Sequence, residues 1–412
     1  MLRFPRCQAA TGSPSALDDN ARTMSNPEHL TKEPAPREHD LRSVILPFVV
    51  GFVLFVSLEC LVFRPALYGR IVAPRSYAGY FEMLVAGEKR LATQDPKPRM
   101  TIVGDSRIAE GFWEARAEEQ VGGSWRFVNA AIPGSTPRVW FYLLRAIDPG
   151  RDRNRLVVIP LRDYPDFDIP EHLSNRMLDV RTAILHLGPL DLPRLLASFD
   201  GWGSRFRVLR AVLLKGEVLK EDLQDLLDDP LRRWNRIEQS ARTWARSRHV
   251  YPGHKGSLEG LRYDPSSETF VFPTSVSEER RSRLVRSLSR PTQRGRMRRY
   301  RQLWLTAIVD YYRNSPTRVV FLRLPRGPIV ASYRKEPSDP GVVDELARRP
   351  NVEELPEDLF DDLEKPRYFF DELHVNNLGR ERFTTILIDA LLGSNDLNSA
   401  ARSADGDAEG GQ

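Results

Sequence analysis

The chain has little cysteine, two residues in 412, with Cys7 in a polar leader and Cys60 inside an apolar run. Residues so placed cannot easily pair, so a disulfide-built scaffold is excluded and cysteine usage assigns no redox compartment. There is no C-x-x-C, and His29, His39, His172, His186, His249 and His254 show no ligand spacing with either cysteine, which argues against a zinc site. Charge of one sign is also scarce. Against 61 Lys and Arg stand 56 Asp and Glu, a net of +5, so no nucleic-acid role is implied. No internal repeat is visible. What is present, 41% hydrophobic and 9% aromatic residues, suffices for at least one sizeable core.

Only one hydrophobic run is long. Val44 to Phe63 reads VILPFVVGFVLFVSLECLVF, about 20 residues with Glu59 as the sole charge, enough to cross roughly 30 Å of hydrocarbon. This predicts a transmembrane helix, in which Pro47 and Gly51 are tolerated. Glu59, near its end, is expected to reach toward headgroups. A polar leader of 43 residues and the lack of a small-x-small site favour a signal anchor over a cleaved signal peptide. Lys32, Arg37 and Arg42 before the run balance Arg64, Arg70 and Arg75 after it, so charge alone sets no orientation.

Residues 1–43 and 395–412 are polar and without apolar periodicity, and read as disordered tails. Between span and domain, residues 64–97 are expected as a helical linker, with Tyr80, Phe81, Leu84, Val85 and Leu91 at helical spacing. Short apolar runs at Met100–Val103, Arg126–Val128, Leu156–Pro160 and Val319–Leu324 look like buried parallel strands, with a weaker edge strand at Val352–Leu355. The last helix, Leu378–Leu392, carries Phe383, Ile386, Leu387 and Ala390 on one stripe. This alternation predicts an α/β/α sandwich over 98–394, with sites at the carboxyl ends of its strands.

An insertion at about 171–297 is too long for an ordinary crossover and needs structure of its own. Leu187–Leu227 and Trp234–Trp244 read as amphipathic helices, and Leu261–Phe272 as a hairpin. Leu190, Leu195, Leu196, Phe199, Trp202, Phe206, Leu209, Val212 and Leu213 suit a cap packed on the core or a groove for an acyl chain. Arg280 to Arg301 holds ten arginines and no acid, which suits a solvated basic stretch or a contact with anionic lipid or acidic polysaccharide.

Two short motifs carry chemistry. Gly104-Asp105-Ser106 ends the first strand, where a serine entering a helix exposes its hydroxyl and aims its own amide at a bound oxyanion. FFDELHVNNLG places Asp371 three residues before His374, so one turn supplies both a base for a serine and the acid that fixes its tautomer.

With NAAIPGSTP at Asn129–Pro137 between them, these blocks resemble, in order, those of the SGNH or GDSL family of serine esterases and acyltransferases. The resemblance implies Ser106 as nucleophile, His374 as base, Asp371 as its orienting acid, Ser106 and Gly134 as oxyanion donors, and no metal or organic cofactor. After the third strand the family usually has Gly-x-Asn-Asp, whereas here the chain reads IPLRDYPDF with no asparagine. Arg162 is the nearest replacement donor, its other reading being an ion pair with Asp163 or Asp166. The membrane run makes the chain similar to the anchored branch of that family, the alginate O-acetylation and teichoic acid D-alanyl transfer proteins. That similarity implies an extracytoplasmic domain, an envelope polymer or lipid as substrate and a membrane acyl-donor protein as partner. The runner-up is a catalytically degenerate scaffold or binding protein on the same fold.

Overall fold

The apolar runs become strands of one parallel sheet because they have to be covered on both faces. They are β1 (Arg99–Gly104), β2 (Arg126–Ala131), β3 (Asn154–Leu161), β6 (Arg318–Arg323) and β7 (Val352–Glu354); between them, β4 (Arg262–Asp264) and β5 (Thr269–Val271) form a separate antiparallel hairpin. Strand order is β2-β1-β3-β6-β7, all parallel. Alternate residues of β1 enter opposite cores. Met100 and Ile102 belong to one buried cluster with Ile108, Phe112, Phe383 and Leu387, while Val103 belongs to another with Phe81, Val139 and Trp304. The computed structural model describes residues 41–63, 67–93, 95–164, 166, 175–246, 253–264, 266–267, 269–274, 276–288, 297–329 and 341–393. The two expected tails up to residue 40 and beyond 394, Cys7, His29, His39, His172, His249 and the arginines from 290 to 296 lie outside them.

Chain direction across the sheet sets where a site can form. After β1 the chain moves to β2 on one side, and after β3 it moves to β6 on the other. Connections diverging from neighbouring strands leave a crevice at their carboxyl ends. Gly104 is the last residue of β1, so Ser106 stands at the edge of that crevice.

The long apolar run is helical from Leu41 to Leu58, starting three residues before the expected span, and continues as a π-type turn at Glu59–Phe63. Ile45–Phe63 is long and apolar enough to cross a membrane, with a mean hydropathy of 2.5. Two units divide the chain, one ending at Val53 and one starting at Leu54. Within the second, Glu59 does not reach outward as expected. It is 5% exposed, and its carboxylate accepts from the backbone N–H groups of Lys215 at 2.6 Å and Gly216 at 2.9 Å, the first two residues of the helix Lys215–Asp228. Amides at a helix start lack partners within the helix, so a carboxylate is well satisfied there. Gly216 makes room, since a Cβ there would lie 2.8 Å from the Phe63 ring.

The insertion shares the core of the domain rather than building its own. Val180, Ile184, Leu195, Phe199, Val208 and Val212 pack into the same cluster as Val103 and Trp304, whereas Leu190, Trp202 and Phe206 are exposed. The arginine block is not uniformly solvated either. Arg301 is buried and donates to the carbonyls of Asp163 and Tyr164, and Arg280 stacks over the Phe370 ring at 4.4 Å.

One buried ion pair ties the insertion to the helix Pro137–Ile147 that follows β2. Arg138 donates to Asp179 at 3.1 Å, both side chains being 1% exposed. Thr136 donates to the same carboxylate at 2.7 Å, and the Arg138 guanidinium lies 4.0 Å over the Phe199 ring. Removing one partner of such a pair leaves an uncompensated buried charge. Asp179→Ala should therefore destabilise the domain by about 3–5 kcal/mol, whereas Arg138→Met with Asp179→Leu should recover most of the loss. Denaturant melts of the three proteins check this, and an Asp179→Ala melt matching the parent would refute it.

Candidate active site

Sharp entry from β1 into the helix Ser106–Gly111 depends on Gly104, where a Cβ would stand 2.7 Å from Ile108 Cβ and 3.2 Å from the Pro160 ring. Asp105 caps that helix by accepting from Arg107 N at 2.9 Å, and pairs with the Arg107 guanidinium at 2.8 Å. Burial pushes the Asp105 carboxyl upward, but the charge and hydrogen bonds of Arg107 outweigh it and hold the group below the usual carboxylate range. Asp105 is thereby committed to the helix start. Ser106 is left to face the last turn of the domain.

That turn is built by Asp371. Its Oδ1 accepts from Leu373 N at 2.9 Å and His374 N at 2.7 Å, which folds the three-residue spacing so that the imidazole returns to the carboxylate. His374 Nδ1 lies 2.9 Å from Asp371 Oδ2, and His374 Nε2 lies 2.8 Å from Ser106 Oγ. The expected Ser106, His374 and Asp371 thus stand in one hydrogen-bonded line. For His374, burial opposes the charged form. The Asp371 hydrogen bond and charge, with smaller contributions from Glu110 and Asp105, outweigh it and raise the ring above its ordinary value.

The loop after β2 is bonded to the end of β1, with Ile132 N and Ser135 Oγ both donating to the Gly104 carbonyl at 2.9 and 2.8 Å. Gly134 sits in this loop at φ +70°, a left-handed conformation that suits glycine. Its carbonyl accepts from Arg176 Nη1 at 2.5 Å, and Arg176 Nη2 would touch a Cβ at 3.3 Å. Arg162 follows β3 with its side chain exposed. The guanidinium brought to Gly134 is that of Arg176, which comes from the insertion and which sequence reasoning missed.

Three more residues were missed. Glu110 lies one helical turn after Ser106, and its Oε2 is 3.2 Å from His254 Nε2. The His254 ring stacks on Phe370 with centroids 3.8 Å apart. In the sequence His254 shows only as a histidine between Gly253 and Lys255, and no spacing links it to residue 110. Among the described residues no group of three or more His, Cys, Asp or Glu side chains converges as a metal site. No known protein-family model matches this chain, and no curated protein matches it significantly.

The charge state of His374 is a direct consequence of this geometry. Because its affinity for protons is raised, the ring is neutral only above a midpoint higher than the ordinary 6.5, and the neutral fraction falls as pH drops through it. Modification of His374 by diethyl pyrocarbonate, which needs the neutral ring, should follow that midpoint, and Asp371→Asn should move it down. An unmoved midpoint in the variant would show that Asp371 does not hold the imidazolium.

Proposed function

We propose that this protein is a membrane-anchored, SGNH-like serine esterase or O-acyltransferase that works through an acyl-enzyme on Ser106. The observation that carries the reading is the line Asp371–His374–Ser106, with 2.9 Å and 2.8 Å between successive partners. In the first step Ser106 Oγ attacks an ester carbonyl carbon while its proton passes to His374 Nε2. Asp371 stabilises the imidazolium. Collapse of the tetrahedral intermediate expels the leaving alkoxide, which takes the proton from His374. Water or an acceptor hydroxyl then attacks the acyl-enzyme, with His374 again receiving the proton and returning it to Ser106.

The Ser106 and Gly134 amides are the proposed oxyanion donors. Arg176 holds the Gly134 peptide and places positive charge beside it, offsetting the asparagine that the third strand lacks. The apolar helix supports anchoring by residues 44–63, and the resemblance to envelope proteins supports an extracytoplasmic domain acting on ester-linked acyl groups of an envelope polymer or lipid. The altered third block favours the second reading, a degenerate scaffold, which predicts an unreactive serine.

A fluorophosphonate probe separates the two readings. Detergent-solubilised protein should be labelled at Ser106, with labelling abolished in Ser106→Ala, nearly lost in His374→Ala and reduced in Asp371→Asn. Arg176→Ala should slow labelling about tenfold or more, less than the roughly hundred- to thousandfold of a lost oxyanion donor because the Gly134 amide remains, while the same loss in Arg162→Ala instead would assign that role to Arg162. Absence of label in the parent at any pH sinks the enzymatic reading.

Sidedness is read from cells. Alkaline phosphatase fused after Leu392 should be active, and a cytoplasmic reporter at the same point should be silent. The reverse pattern would put the domain in the cytoplasm.

A further inference from the structure

Beside the triad stands a second carboxylate–imidazole pair that the acyl-enzyme mechanism does not use. Glu110 is four residues after Ser106 on the helix Ser106–Gly111, so the two side chains leave the same face about one turn apart. Its charge is felt by His374, the ring bonded to Ser106. His254 Nε2 lies 3.2 Å from Glu110 Oε2. The side chains of Glu110 and His254 are 16% and 25% exposed, so the pair is partly sheltered yet open to solvent.

The His254 side of the pair is positioned by several contacts. Asn377 N donates to the His254 carbonyl at 2.9 Å, and Leu258 N to the Phe369 carbonyl at 3.0 Å, which docks this segment on the turn that carries His374. The His254 and Phe370 rings lie parallel within 2°, and Phe370 N donates to the His374 carbonyl at 2.8 Å. Gly253 allows this approach, because a Cβ there would lie 1.9 Å from Asn377 Oδ1. Two hydrogen-bonding side chains fixed one turn from a nucleophile form a preorganised polar subsite. A carboxylate accepts hydroxyl protons and an imidazole donates or accepts, which fits neighbouring hydroxyls of one polyol and disfavours an anion.

We propose that Glu110 and His254 form an acceptor subsite for a polyhydroxylated alcohol, such as a sugar ring, beside the Ser106 ester. This rests on the acyl-enzyme reading above and settles its second step as transfer. The bound acceptor presents one hydroxyl to the ester carbonyl carbon. Its O–H proton passes to His374 Nε2, the new C–O bond forms, the bond from Ser106 Oγ to the acyl carbon breaks, and His374 returns the proton to Ser106 Oγ. Glu110 and His254 bind the neighbouring hydroxyls and are not consumed.

The measured quantity is the ratio of transfer to hydrolysis from one acyl-enzyme, which does not depend on how fast that acyl-enzyme forms. Full-length protein in detergent is acetylated with p-nitrophenyl acetate in the presence of methyl α-D-glucopyranoside, and acetylated glucoside and free acetate are quantified by mass spectrometry. The ratio should saturate with glucoside, and Glu110→Gln and His254→Gln should each lower it about tenfold or more, the effect of one charge-assisted hydrogen bond. With methanol, which offers no neighbouring hydroxyl, the ratio should not depend on either side chain. A ratio linear in glucoside, unchanged in both variants, or lowered equally for methanol would overturn the subsite. Failure of the parent to form any acetyl-Ser106 would instead overturn the acyl-enzyme reading, and the subsite with it.

Discussion

A 2.8 Å contact between His374 Nε2 and Ser106 Oγ joins groups separated by 268 residues, and most of the architecture serves to keep it closed. On one side the contact needs a serine at the end of an interior strand, turned outward by the approach of Gly104 to Ile108. On the other it needs a turn whose carboxylate binds both backbone and ring. The helix that follows that turn, Asn377–Gly393, packs Phe383 and Leu387 against the same face of the sheet as Ile108 and Phe112. Both ends of the contact are thus anchored in one hydrophobic layer. A shift of either helix would be resisted by close-packed core rather than by the hydrogen bond itself.

Charge is handled in a similar way at several places among the described residues, with sheltered groups paired in place. Asp105 is spent on Arg107, Asp179 on Arg138 and Thr136, Glu59 on the first amides of Lys215–Asp228, and Arg301 on two carbonyls. Each pairing satisfies a group that would be costly to bury alone. Several join distant segments, so they also specify how the insertion lies on the sheet. The start of the insertion reaches the site as Arg176 and a later part reaches it as His254. Chain that leaves the sheet after β3 and rejoins it at β6 therefore meets both Gly134 and Glu110.

Much of this was written in local pattern. The buried strands read as apolar runs, because strands covered on both faces carry few polar residues. The serine at the end of β1 and the Asp-x-x-His turn were legible because their geometry is local, a strand-to-helix turn and a three-residue return. Gly134 was singled out only through the resemblance of its block to a family motif, since a lone loop glycine carries no chemistry in local pattern. Glu59 was misread because its neighbours in sequence are apolar, while its partners, Lys215 and Gly216, are 156 and 157 residues away. For the same reason the basic block did not show that Arg301 would be buried and Arg280 stacked on Phe370, since composition says nothing about which arginine enters the core.

By itself, then, the sequence determined the strands, the apolar helix and the local turns that shape Ser106, Asp371 and His374. All of these depend on hydrophobic periodicity and short-range bonding. Tertiary structure decided that Arg176 rather than a third-strand side chain meets Gly134, and that Glu110 meets His254 beside the triad. Those contacts follow from how the insertion folds back over the carboxyl ends of the strands, through the buried Arg138–Asp179 pair and the docking of residues 253–258 on the His374 turn. Such long-range packing leaves no spacing or period along the chain, because the residues that meet are chosen by the shape of the sheet and not by their separation in sequence.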